Sequence, residues 1–264
     1  MTAFIQTEED GGVLRIILND DATRNSLSEG MMADLQSAFD RAEADPAVQA
    51  IIVSSSGKIF SSGHNLKQLT AHRADADKGA GYFEKVFGTC AKLMTSIAKH
   101  RCAIIAEVDG LASAAGCQLV ATCDLAYASP RAAFCTPGVN IGLFCSTPMV
   151  PLSRAVSSKH AMEMLLTGDI FDADYALRAG LINAVVPQNE LAGHTARVAK
   201  KIASKSQAAV RYGKRAFQEQ RFMALEEAYA FTSGIMARNM LDGAACEGLD
   251  AFINKRHPHW PPLT

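Results

Sequence analysis

Short apolar runs alternate along this chain with longer stretches of helical periodicity, and no other feature narrows the possible folds as much. Ile51-Ile52-Val53 is apolar on both faces, which suits a strand covered on both sides of a sheet. Before it, Met31, Leu35, Ala38, Phe39 and Ala42 share one helical face, with capping-box spacing at Ser26 and Glu29 and a stop at Asp45-Pro46. Upstream, Val13–Leu18 reads as a strand, joined to Phe4-Ile5 as a hairpin through the Asp10-Gly11-Gly12 turn. The pattern recurs: a helix from about Tyr82 to Lys99, strand Ile104–Val108, short helix Cys117–Ala121, strand Leu125–Ala128. Asp172 caps a further helix ending at Gly180, before the strand-like run Leu181–Pro187. Strand–helix–strand units of this kind predict an α/β fold with parallel pairing. Beyond Asn189 the reading is almost wholly helical, over 190–203, 206–219, 223–239 and 244–254. The expected division is therefore a core at 1–190 and a helical region at 191–264. Residues 70–80, rich in Ala, Asp and His, read as a mobile surface insert.

Charge and composition exclude several classes of function. The 26 basic and 27 acidic residues leave a net charge of −1, without the basic footprint of a general nucleic-acid binder. No apolar run reaches the roughly 18 residues needed to cross a bilayer, so no membrane partner is expected. Met1–Gly12 is acidic, with neither an apolar core nor an arginine-rich amphipathic pattern, which predicts a cytoplasmic protein without a leader. Seven cysteines, at 90, 102, 117, 123, 135, 145 and 246, form no Cys-x-x-Cys pair. They are expected to be reduced and mostly buried, and no metal site is expected.

Two loops carry the chemical interest. Phe60-Ser61-Ser62-Gly63-His64-Asn65-Leu66 follows the strand at 51–53, and Val108-Asp109-Gly110-Leu111-Ala112-Ser113-Ala114-Ala115-Gly116-Cys117 opens a helix after the strand at 104–108. Backbone N–H groups at a helix start lack intrahelical acceptors, and small side chains let a ligand approach them. Two such loops on neighbouring strands could aim two N–H groups at one oxygen, the arrangement that stabilises an oxyanion. Glycine and alanine also serve tight packing at such turns. Neither loop has Gly-x-Gly-x-x-Gly or P-loop spacing, which disfavours those nucleotide folds.

The loop pair with Asn25-Ser26-Leu27 upstream resembles the crotonase (enoyl-CoA hydratase/isomerase) superfamily. So do Cys123-Asp124-Leu125-Ala126, Phe134-Cys135-Thr136-Pro137, Leu166-Thr167-Gly168 and Ala179-Gly180-Leu181, and the ending Glu247-Gly248-Leu249-Asp250-Ala251-Phe252. The resemblance implies a crotonase-like spiral of strand–strand–helix repeats with a helical C-terminal trimerisation region, as a homotrimer or homohexamer. It implies an acyl-CoA thioester as ligand, with coenzyme A part of the substrate and no separate cofactor. By position, the N–H groups of Ser62 and Ala115 would form the oxyanion hole, with Gly63 and Gly116 beside the thioester. Arg24 would sit near the CoA phosphates, and Lys255 could add a charge from a neighbouring subunit.

The resemblance has gaps where acid–base chemistry should be. The two glutamates that hydratases of this family use fall on Gln118 and Gly138, a side chain that exchanges no proton near neutrality and no side chain at all. Each positioned acid or base contributes roughly 10²- to 10⁴-fold, so ordinary hydratase turnover should be slow. Asn65 replaces an Asp common in the first loop, and Cys145-Ser146 stand where some relatives carry an Asp. His64 remains beside Gly63, either as an acid–base group or as a loop brace. A decarboxylating branch of the family has a similar histidine, and decarboxylation generates an enolate that the hole alone would stabilise. Three readings follow: a lyase of acyl-CoA (fatty acid type) metabolism, as a slow hydratase or a decarboxylase using His64; a noncatalytic acyl-CoA sensor; a scaffold with a relic pocket. The remaining histidines, at 72, 100, 160, 194, 257 and 259, read as surface or helix-end residues.

Overall fold

The computed structural model describes residues 4–261, so Met1–Ala3 of the N-terminal reading lie outside it. The chain opens with the hairpin β1 (Ile5–Asp10) and β2 (Val13–Leu18), then α1 (Glu29–Ala44) and β3 (Ala50–Ser55). A short strand β4 (Ile59–Ser61) follows, then α2 (Leu66–Ala71) and α3 (Ala80–Lys99). The next unit is β5 (Ala103–Val108), β6 (Leu111–Ser113) and α4 (Ala115–Thr122). After it come β7 (Leu125–Ala128), β8 (Ala133–Cys135), α5 (Ser146–Ala155) and α6 (Ser158–Thr167). Short elements β9 (Phe171–Asp172), α7 (Ala173–Ala179) and β10 (Ala184–Val185) close the core. Four helices then end the chain: α8 (Gln188–Ala203), α9 (Gln207–Gln220), α10 (Leu225–Met240) and α11 (Gly243–Ile253).

Each repeat contributes one strand to each of two sheets. The larger has the order β1-β2-β3-β5-β7-β10, parallel from β2 onward; the smaller has the order β4-β6-β8-β9. This is the crotonase spiral of strand–strand–helix repeats. The three-residue partners β4, β6 and β8 were not legible as strands, because runs that short carry no periodicity.

The large sheet is covered on both faces, as its apolar strands require. Ile16, Leu18, Ile51, Val53 and Ile104 pack with Met31, Leu35 and Leu93 in the main core. The alternate residues Val13, Ala50, Ile52 and Ile105 pack against Ala199 and Ala203 of α8. Glu107, also on the α8 side, pairs with Arg15 at 2.7 Å and accepts from the Thr195 hydroxyl, which ties α8 to the sheet. The expected boundary at 190 thus falls inside a helix that belongs to the core. α10 is different: it buries none of its residues, and Phe222, Leu225, Tyr229, Leu241, Phe252 and Ile253 in or near α9–α11 are all exposed.

Several local expectations are corrected. Ser28, not Ser26, caps α1, accepting from Met31 N, while the Ser26 hydroxyl donates to Thr23 Oγ1. Residues 70–80 form a surface turn in which His72 stacks on Tyr82 at 3.5 Å and bonds Asp75, and Asp77 accepts from Gly79 and Gly81 N–H. Only Ala184–Val185 of the run at 181–187 is strand. His100 ends α3 but is buried, bonded to Phe39 O and Cys102 N. Cys90, Cys102, Cys117, Cys135 and Cys145 are buried, Cys123 is intermediate and Cys246 is exposed.

Candidate active site

The first loop is held by the segment before it. Arg24 and Asn25 both adopt left-handed backbone conformations, at φ 59° and 52°. The Asn25 side chain accepts from Asp20 N at 2.7 Å and donates to Ser56 O and Ile59 O. Ser61 Oγ donates to Asn25 O at 2.8 Å, and Ser62 N donates to Arg24 O at 3.0 Å. That last bond corrects the expected hole, because the Ser62 N–H is committed inside the loop. Two residues on, the His64 N–H has no acceptor among the described residues, and neither does the Ala115 N–H at the start of α4.

The two N–H groups lie across Gly63. Gly63 has φ +85°, and a Cβ there would stand 2.9 Å from Ser113 O and 3.1 Å from Ala115 N. The glycine is required twice, for its conformation and for the close approach of the loops. Ala114 supplies the opposing bend at φ 50°, ψ −114°, unusual for a residue with a Cβ, and it turns the Ala115 N–H out of the strand–helix path. Gly116 is a packing residue: a Cβ there would stand 2.5 Å from Ser61 O. Asn65 caps α2 by accepting from Lys67 and Gln68 N–H, so the family's Asp is replaced by an equally good cap.

The His64 ring meets Phe87 of α3 edge-on, with centroids 5.3 Å apart. Both ring nitrogens are buried without a hydrogen-bond partner. Burial pushes the imidazole below its ordinary value and favours the neutral ring, partly offset by the Leu27 backbone.

Of the two positions where the resemblance puts an acid–base pair, the one at Gly138 is closed. Gln118, one turn along α4 from Ala115, is buried with its Oε1 3.9 Å from Cys90 Sγ. At Gly138 a Cβ would stand 2.8 Å from Leu143 O and 2.9 Å from Cys145 Sγ, so Cys145 and the loop backbone fill the space a side chain would need. Burial raises the thiols of Cys145 and Cys90, the latter to about 12, which makes both poor nucleophiles.

From Gln118 a cavity of about 910 Å³ runs between α3, α4, α5 and α9. Its wall includes Met94, Ala98, Val150 and Phe217. α9 is fastened over it by Lys214, which donates to Asp124 Oδ2 at 2.7 Å, Cys102 O at 2.9 Å and Ile97 O at 3.1 Å. Desolvation raises the Asp124 carboxyl despite Lys214, and Ile104 N–H also donates to it at 2.8 Å. The Cys123-Asp124 motif therefore serves to seat α9.

The structure brings together Gly63, His64, Ala115 and Gly116. The Arg24 side chain is exposed beside the first loop and joins no ion pair among the described residues. Lys255 follows α11, whose main packing is on α9 and α10, and is exposed at φ 51°. Lys214 and Phe87 were missed, since each reads in sequence as an ordinary core or helix-face residue.

The family model described as enoyl-CoA hydratase/isomerase matches residues 8–262. The chain is 48% identical over 259 residues to the Xenopus laevis protein named enoyl-CoA hydratase domain-containing protein 3, mitochondrial, covering 98% of this chain and 86% of that protein. The human protein of that name is 47% identical over 249 residues, covering 94% of this chain and 80% of that one. The crystal structure of human enoyl coenzyme A hydratase domain-containing protein 3 superposes with a TM-score of 0.92 at 44% identity, covering 97% of this chain and 100% of that chain. A Mycobacterium smegmatis enoyl-CoA hydratase structure gives 0.91 at 42% identity, covering 97% and 98%. The mitochondrial names of the vertebrate relatives overturn the cytoplasmic expectation, which rested only on Met1–Gly12 and the thiols.

Proposed function

The chain belongs to the enoyl-CoA hydratase/isomerase family, and from that premise we propose that it binds an acyl-CoA thioester with the carbonyl oxygen on the His64 and Ala115 N–H groups. The observation that carries this is the pair of uncommitted N–H groups brought close together at Gly63. Donors fixed by the fold stabilise an oxyanion without reorganising as charge develops. The cavity beyond Gln118 takes the acyl group, and Arg24 lies on the first-loop side, suited to the CoA phosphates. The protein works in acyl-CoA metabolism, as a mitochondrial protein like its named relatives. α9–α11 mediate a homotrimer or homohexamer, a reading supported by the exposed apolar residues of α10 and its neighbours.

Hydration is slow under this reading, because neither Gln118 nor Gly138 activates water. His64 favours a second chemistry, loss of CO₂ from a malonyl-type thioester. The bond to the carboxylate breaks, CO₂ leaves, and the electron pair passes through Cα to the thioester oxygen held by the two N–H groups. Under this reading the buried His64 ring turns to donate a hydrogen bond to substrate, and solvent returns the proton to Cα.

Mass-spectrometric turnover of crotonyl-, malonyl- and methylmalonyl-CoA by the purified chain tests both claims, alongside ligand-induced shifts in melting temperature. Product from the malonyl-type substrates alone is expected. Crotonyl-CoA hydration at ordinary hydratase rates would refute the account of Gln118 and Gly138. Thermal stabilisation without any product would leave a thioester sensor, and the absence of both would leave a scaffold.

A further inference from the structure

Two arginines stand at the outer end of the cavity with nothing acidic beside them. Arg154 on α5 and Arg221, the residue after α9, both line it. The Arg154 guanidinium lies 4.9 Å from the centroid of the Phe222 ring. That of Arg221 lies 6.0 Å from the same ring and 5.2 Å from the Phe217 ring. Arg154 Nη1 donates to Val150 O at 2.8 Å, and Arg221 Nη2 donates to the Arg154 carbonyl. Each cation is thus oriented by an aromatic face and one backbone carbonyl. Neither joins an ion pair among the described residues. Two positive charges that share a ring repel each other, and stacking holds their planar forks ready for an oxyanion.

The rest of the cavity says which anion fits. The lining also carries Met94, Ala98, Val150 and Phe217, an apolar stretch among polar side chains such as Thr95, Lys99 and Thr147, and that stretch suits methylene groups. Asp124, the one carboxylate on the lining, is already taken by Lys214. Arg24, the group suited to the CoA phosphates, is absent from this lining. Gln118 lies one turn along α4 from the Ala115 N–H, so an acyl chain that passes it enters a cavity whose lining includes both arginines.

We infer that Arg154 and Arg221 bind a carboxylate at the far end of the acyl group, so that the substrate class is an ω-carboxyacyl thioester. This rests on the thioester-binding reading above and not on the decarboxylation, since the carboxylate of a malonyl-type thioester sits beside the carbonyl and would not reach the arginines.

Calorimetric titration of the full chain with two matched series tests the inference: adipyl-, suberyl- and sebacyl-CoA against hexanoyl-, octanoyl- and decanoyl-CoA. At one length or more the carboxylate-ended thioester should bind about tenfold tighter, the size expected of a hydrogen bond to a charged group. In an Arg154→Gln/Arg221→Gln variant that preference should fall below about twofold while methyl-ended thioesters keep their affinity; Arg→Lys at both positions should restore part of it. Absence of preference at every length overturns the inference. Equal weakening of both series also overturns it, and would assign the arginines to the CoA phosphates. A changed oligomer in light scattering with the preference intact would assign them to contact with a second copy, a third way for it to fail. Should wild type bind no thioester of either series, the thioester reading itself falls; neutral binding without preference sinks only the carboxylate.

Discussion

The two walls of the candidate site have been built on opposite principles. On one, the backbone donors of His64 and Ala115 are left without acceptors, and two strained turns and a glycine at φ +85° keep them so. On the other, where an acid–base pair would stand, Gly138 is packed over by Leu143 O and Cys145 Sγ, and Gln118 is buried. A site decaying at random would lose the strained wall first, since strain persists only where surrounding structure enforces it. Here the strained wall is intact and the relaxed one has been filled. The difference is what the proposed function requires, a pocket that holds a thioester carbonyl without activating water.

Gly63→Ala breaks the comparison most severely. The new methyl would sit 3.1 Å from Ala115 N and force φ +85° on a residue that resists it. Thioester binding or turnover should drop by at least about 10²-fold, the scale for losing an oxyanion donor. An acyl-CoA titration showing wild-type affinity in a folded variant would dismantle the hole.

The filled wall makes a converse prediction. Gly138→Glu should destabilise the chain by about 1–3 kcal/mol through overpacking, read by denaturant midpoint. Adding it to Gln118→Glu should give no more hydration than Gln118→Glu alone. Hydration should rise only when Cys145→Gly reopens the space. A stable, active Gln118→Glu/Gly138→Glu enzyme would show that Cys145 closes nothing.

A smaller effect comes from the buried imidazoles. Burial lowers His64 and His100 from their ordinary 6.5, with Glu43 offsetting part of it at His100. The unfolded chain therefore binds more protons than the folded one just below that value, so stability falls as pH drops through about 6.5 and levels off below the folded values. Melting temperatures between pH 8 and 5 should show this slope, and His64→Gln should flatten it. An unchanged slope in that variant would mean that the His64 ring titrates freely and is not enclosed.

The same contrast explains what could be read in the sequence. The buried strands, α1 and the helical ending follow from periodicity, which samples many residues at once, and the family motifs locate both loops. The identity of the donor did not follow. Ser62 and His64 flank the same glycine, and only the bond from Ser62 N to Arg24 O, set by the left-handed turn at 24–25, decides which N–H is left over. Gly138 read as a missing side chain when it is an occupied space, because the Cys145 thiol that fills it comes from across a six-residue loop. Lys214 looked like any exposed helix lysine until Asp124 and two carbonyls closed around it. Each of these depends on a contact between residues distant in sequence.

The mildest test asks whether the filled wall stays closed in solution. Cys145 and Cys90 are buried and their thiols raised, so neither offers a thiolate near neutrality. Cys246 on α11 is the exposed thiol. An aromatic disulfide reagent at neutral pH should therefore consume one of the seven thiols rapidly and the rest only with unfolding. Cys246→Ser should abolish that fast phase. If a fast phase survives and peptide mapping places it on Cys145, the segment over Gly138 opens on the experimental timescale. The space for an acid–base group would then be present part of the time, and the slow hydration expected of this chain would reflect the missing carboxylates alone rather than a closed wall.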